Sequence, residues 1–140
     1  METLHSKIFL VDDNLTNLAM GRNMLKDEYE VFPATSAAKL FALLEHVRPD
    51  LILLDIEMPE TDGYETIKKL KANPDLADIP VIFLSAKSNE GNALKGFELG
   101  AADYISKPLS GPVLLKRIAN QLLIVQLKRE LRECREGKKN

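Results

Sequence analysis

At 140 residues the chain suffices for one domain with a real hydrophobic core, and 45% hydrophobic with 29% charged residues are ordinary globular values. A single cysteine, Cys134, excludes a disulfide framework and a zinc cluster. No apolar stretch approaches the ~20 residues of a membrane span, and the opening Met1-Glu2-Thr3-Leu4-His5 lacks the apolar region of a signal peptide, so no membrane partner is expected and the cytoplasm is the expected compartment. The net charge of −2 hides an asymmetry, because from Lys116 onward eight Lys/Arg face three Asp/Glu, a balance of +5. That basic tail reads as the solvated face of a helix, with Arg129/Glu133 and Arg132/Glu136 one turn apart. No zinc-finger or aromatic RNA-binding motif accompanies it, so no direct nucleic-acid contact is expected.

In chain order, Lys7 to Val11 is an apolar run that reads as a buried strand, left by Asp12-Asp13. Asn14 suits an N-cap for a helix to about Lys26, with Leu15, Leu18, Ala19 and Leu25 predicted on its inner side. Tyr29 to Ala34 is a short strand carrying Pro33, which places it at a sheet edge. Ser36 caps a second helix in which Leu40, Leu43, Leu44 and Val47 recur at helical spacing, and Pro49 is predicted to stop it. Leu51-Ile52-Leu53-Leu54-Asp55 is the most apolar run, followed by Ile56-Glu57-Met58-Pro59 and the turn Asp62-Gly63. A helix from Tyr64 to about Ala72 closes at Asn73-Pro74. Val81-Ile82-Phe83-Leu84 is the next strand, ending in Ser85-Ala86. A helix from Asn89 to Leu99 ends on Gly100 as a left-handed cap. Tyr104-Ile105-Ser106 runs into Lys107-Pro108. Ser110-Gly111-Pro112 starts a last helix that runs to about Arg135.

Five strands alternating with five helices predict an α/β fold: a doubly wound five-stranded parallel sheet with helices on both faces and an extended C-terminal helix. With the flavodoxin-like order 2-1-3-4-5, Asp12, Asp13, Asp55 and Ser85 meet at the C-terminal edge of the strands, where ligands bind in such sheets. Three close carboxylates repel one another unless a cation balances them, and oxygen-only donors with room for water suit Mg²⁺ or Mn²⁺. Lys107 adds one positive charge and Ser85 one donor. No base stands ready to activate Ser85, and no Ser/His/Asp or Cys/His arrangement is visible. The group with nucleophilic capacity is a carboxylate, and Asp55 is the central one.

These motifs, in this order and on these strand ends, resemble a response-regulator receiver domain of two-component signalling, similar to the chemotaxis regulators, over about Lys7 to Leu122. The resemblance implies that Asp55 takes a phosphoryl group from a sensor histidine kinase or phosphotransfer protein and switches conformation to regulate an output. It implies Mg²⁺ on Asp13 and Asp55, with Asp12 acting mainly through water and the backbone carbonyl of Glu57 completing the set. Ser85 and Lys107 would hold phosphoryl oxygens, and Tyr104 would turn inward on activation, although a strand aromatic is also simply a packing residue. The Lys107–Pro108 bond is expected to be cis. Glu57 and Lys87 would flank the phosphoryl group and, being oppositely charged, pair across the site mouth. The implied protein is a regulator, not an enzyme, beyond its own phosphorylation and slow dephosphorylation.

Two other readings share features with this one. A haloacid-dehalogenase-like phosphatase also uses a strand-end Asp and Mg²⁺, but needs a second Asp where Glu57 stands. An unphosphorylated pseudo-receiver interaction module would have lost an acid or the lysine. Past Leu122, Ile124, Leu127, Leu131 and Cys134 fall at spacings of three, four and three, a short heptad seam. The expected division is therefore a receiver domain over 1–123 and a C-terminal helix extension over 124–140, a candidate coiled-coil linker. A homodimer through that helix and a downstream output domain are the partners it suggests.

Overall fold

The computed structural model describes residues 5–58, 63–86 and 90–138. Pro59, Asp62 and Lys87 lie outside them, and with Lys87 the pair it was expected to form with Glu57. The elements run β1 (Lys7–Val11), α1 (Leu15–Leu25), β2 (Glu30–Ala34), α2 (Ala37–Leu44), β3 (Leu51–Asp55), α3 (Gly63–Ala72), β4 (Val81–Ala86), α4 (Glu90–Glu98), β5 (Asp103–Lys107) and α5 (Gly111–Lys138). All strand pairs are parallel and the order is β2-β1-β3-β4-β5. β2, with Pro33, is at an edge, where a missing N–H costs least.

Alternate side chains of the central strands feed two cores, as period-2 geometry requires of a sheet covered on both faces. Phe9, Val11, Ile52, Leu54, Val81 and Phe83 join Leu40, Ile67 and Leu70 of α2 and α3 on one face. Ile8, Leu10, Leu51, Leu53, Ile82 and Leu84 join Leu18, Leu25, Leu114 and Ile118 of α1 and α5 on the other. Every residue of β3 is buried.

Two local readings differ from the structure. The inner face of α1 is Leu18, Gly21 and Leu25, while Leu15 is 72% exposed and Ala19 is exposed as well. A Cβ at Gly21 would stand 2.7 Å from Leu10 Cδ2, so the bare glycine lets the helix press onto β1 along that line and turns Leu15 and Ala19 outward. Helix α2 ends at Leu44, before Pro49. The amides of Glu45 and His46 bond back three residues, to Ala42 and Leu43, tightening the last turn. Gly100 has φ +111°, and the Ala101 amide donates to the Gly96 carbonyl at 2.9 Å, closing α4.

Helix α5 has 28 residues, and at 1.5 Å per residue it is about 42 Å long. Leu114 and Ile118 are fully buried and Leu122 still packs on the core. Beyond it Leu123, Ile124, Leu127 and Leu131 stand exposed.

Candidate functional site

The edge at which β1, β3, β4 and β5 end carries the chemistry-bearing residues. The sheet ladder continues one residue past two of these strands, which fixes the backbone beside the acids: Asp12 N donates to Ala34 O (3.0 Å) and Ile56 N to Leu84 O (3.1 Å). Asp12 and Asp55 are 1% exposed and Ser85 is fully buried, whereas Asp13 is exposed. One carboxylate oxygen from each of Asp12, Asp13 and Asp55 lies within 4.8 Å of the others.

Each buried acid is held by local backbone and by one shared cation. Asp12 Oδ1 accepts the Asn14 amide at 2.9 Å, just before α1, and Asp55 Oδ1 accepts the Glu57 amide at 2.9 Å. Lys107 Nζ lies 3.0 Å from Asp55 Oδ2 and 3.5 Å from Asp12 Oδ2. The bond joining Lys107 to Pro108 is cis.

Burial raises the Asp55 pKa above the usual carboxylate range; the Glu57 amide and Lys107 offset part of the rise, and the Asp12 charge adds to it. For Lys107, burial alone would lower the pKa, but the hydrogen bond and charge of Asp55, then Asp12, outweigh it and the net shift is upward. One ammonium shared by two buried carboxylates, with a third beside them, leaves net negative charge in a small volume. An oxygen-only donor set of this kind suits a hard divalent cation such as Mg²⁺ or Mn²⁺.

Ser85 Oγ is the buried side-chain oxygen that has no hydrogen-bond partner among the described residues. Such a hydroxyl costs stability unless something else takes its proton. The residue after it is held at both ends of its main chain: Ala86 N donates to Glu57 Oε1 (3.0 Å) and Tyr104 Oη donates to Ala86 O (3.5 Å). Glu57 therefore reaches from the β3 end to the β4 end, a contact the sequence alone does not place.

The structure thus gathers Asp12, Asp13, Asp55, Ser85 and Lys107 at one edge, with Glu57 and Tyr104 bracketing Ala86. The model of the response regulator receiver domain matches residues 8–119. A Vibrio cholerae protein named a probable cyclic di-GMP phosphodiesterase is 44% identical over 115 residues, covering 82% of this chain and 26% of that protein. The polar-differentiation response regulator DivK of Brucella anthropi is 34% identical over 116 residues, covering 82% of this chain and 94% of its own. Among solved structures, the Vibrio cholerae chemotaxis protein CheY4 superposes with a TM-score of 0.78 at 26% identity, covering 84% of this chain and 98% of that one. The chain spans about a quarter of the length of the first curated relatives it matches. On the family match and these relatives, the chain belongs to the response regulator receiver domains of two-component signal transduction.

Proposed function

We propose that Asp55 is the phosphoryl acceptor and that Ser85 and Lys107 bind the incoming group. The observation that carries this reading is the fully buried Ser85 Oγ, without a hydrogen-bond partner among the described residues, on the strand next to a buried carboxylate already gripped by an ammonium. An oxygen of Asp55 forms the new P–O bond while the P–N bond of a phosphohistidine donor breaks, its electron pair returning to the donor imidazole. Lys107 neutralises phosphoryl charge and Ser85 donates its hydroxyl proton to a phosphoryl oxygen. Asp12, Asp13, Asp55 and the Glu57 carbonyl would hold Mg²⁺ or Mn²⁺, which supplies neutralisation of charge around the transferred group. The chain acts as a regulator, not as a turnover enzyme.

Glu57 is the modulating residue in this reading. Its carboxylate occupies the Ala86 amide, a donor next to Ser85, so it competes with a phosphoryl oxygen for that N–H. Tyr104 is the candidate switch, because its hydroxyl takes the carbonyl of the same residue. Incubation with acetyl phosphate, with and without Mg²⁺, followed by peptide mass spectrometry, tests the assignment. Label on Asp55 alone, absent in EDTA, is expected; label on a Ser or His, or full labelling in EDTA, overturns it. In the same assay Glu57→Ala retains labelling but alters the lifetime of the phosphoryl group.

We assign the 124–140 extension, whose described part is the end of α5 up to Lys138, to self-association and onward connection, with the receiver ending near Leu123. The exposed Ile124, Leu127 and Leu131 support it, since they recur at coiled-coil spacing on one helix. Two heptads are marginal alone, so the dimer is expected to be weak and to tighten on phosphorylation. Sedimentation of the whole chain and of Leu127→Glu/Leu131→Glu, each with and without beryllofluoride, decides it. A monomer in every arm at high concentration removes the seam. A histidine kinase or phosphotransfer protein is the proposed donor, and an output domain the proposed target.

A further inference from the structure

The end of the sheet opposite the acids holds a hollow of about 430 Å³ whose chemistry the phosphoryl site does not use. Its floor is made by the residues that lead into the strands, Asp50 before β3, Pro80 before β4 and Ala102 before β5. Its wall is the part of α5 from Gln121 to Arg132. Five cations line it: Arg48, Lys71, Lys128, Arg129 and Arg132. Two carboxylates, Asp50 and Asp78, accompany them, a surplus of three positive charges. Among the described residues none of the five cations makes an ion pair, even though Glu133 lies one turn from Arg129 on the same helix.

Two of the cations are held in place by backbone, not by acids. Lys71 is half-buried and donates to the carbonyls of Ala77 (2.9 Å) and Ile79 (3.2 Å), which leaves one ammonium N–H for a ligand. Arg48 donates to the Asp75 carbonyl. Burial lowers the Lys71 pKa and the Lys128 charge lowers it further, against the opposing pull of Asp78. Like charges gathered this way cost free energy that an anion would relieve. The volume is that of a small-molecule site. The lining contains no aromatic ring on which the bases of a nucleic acid strand would stack.

We propose that this hollow binds a nucleotide-sized organic phosphate, with its phosphates on Arg48, Lys71, Lys128 and Arg132 and its body against Ile79 and Val125. The inference stands apart from the phosphoryl-acceptor reading, since it uses the opposite end of β3, β4 and β5. Titration calorimetry of the full chain with ATP in EDTA, with tripolyphosphate as competitor, tests it. One ATP per chain is expected, displaced by tripolyphosphate and weakened by added salt. The exposed double substitution Lys128→Glu/Arg132→Glu is expected to weaken ATP by about tenfold or more, while labelling of Asp55 by acetyl phosphate is unchanged. Lys116→Glu/Arg135→Glu, on the same helix but outside the hollow, is expected to leave ATP affinity within about twofold. No binding at millimolar ATP overturns the proposal, as does equal weakening by the two pairs. Tighter binding of a single-stranded oligonucleotide than of ATP also overturns it, in favour of an extended polyanion surface.

Discussion

Replacing Asp55 by Asn is expected to remove phosphoryl acceptance down to background, the largest functional effect of any single substitution here, because the amide oxygen is no nucleophile. Labelling with acetyl phosphate and Mg²⁺ measures it directly, and persistent labelling of the variant would place the acceptor elsewhere. The same substitution has a stability readout of opposite sign. Burial raises the folded-state pKa of Asp55 above its unfolded value, so the folded protein binds that proton more tightly than the unfolded chain does. The cost of keeping the carboxylate charged is therefore fully present above the folded pKa. It fades as pH falls through that value toward the unfolded one. Without metal, Asp55→Asn should accordingly melt higher than the native protein near neutral pH, and the gap should narrow in acid. Mg²⁺ should raise the melting temperature of the native protein and much less that of the variant. At a hundredfold excess over Kd the gain is ~2.7 kcal/mol.

The largest stability effect is expected at Phe83. Its side chain is fully buried on β4, two residues before Ser85, with the Tyr64 ring edge-on at a centroid distance of 5.7 Å. Gly96 of α4 lies so close that a Cβ there would be 2.4 Å from the Phe83 ring. The ring thus joins α3, β4 and α4 at one point, and Lys95 sits over Tyr64 at 4.4 Å from its centroid. Phe83→Ala is expected to cost about 3–5 kcal/mol, with part of the loss coming from the aromatic pair, itself worth about 0.5–1.5 kcal/mol. At roughly 3–4 °C for each kcal/mol, the melting temperature should fall by about 9–20 °C. Urea unfolding that shifts by less than 1 kcal/mol (about a third of the smallest expected loss) would show that the cavity collapses or that β4 is not locked there.

The strands and their order were legible because β1, β3 and β4 are short apolar runs, each closed by a polar residue of distinct chemistry. Alternation with helices then dictated a parallel sheet, and a parallel sheet brings those polar ends together. Tertiary contacts decided what was not legible. Leu15 and Ala19 fit the helical period of α1 as well as Leu18 does, and only the press of Gly21 on Leu10 selects the true face. Pro49 looked like the stop for α2, yet the helix had already tightened at Glu45. The reach of Glu57 to the Ala86 amide joins residues 29 positions apart and carries no local signal. Nor does the basic hollow, whose cations come from the α2–β3 link, α3 and α5. As a string, that charge reads only as a basic tail.

The composition of the two outer strands has a consequence for how copies of this protein meet. An outer strand is a template on which a second chain can extend the sheet, and that is a common route into fibrils. On one side β2 opposes Leu10 with Pro33, which has no amide hydrogen to offer an arriving strand, and opens on exposed Glu30. On the other side β5 is bracketed by Asp103 and Lys107. Arg117 of α5 grips Asp103 at 3.0 Å, and Lys107 is drawn toward the acids. Charge and proline thus guard both margins of a sheet whose interior strands are mostly apolar. A second chain arriving to extend the sheet meets proline and a carboxylate at one margin and charged residues at both ends of the other.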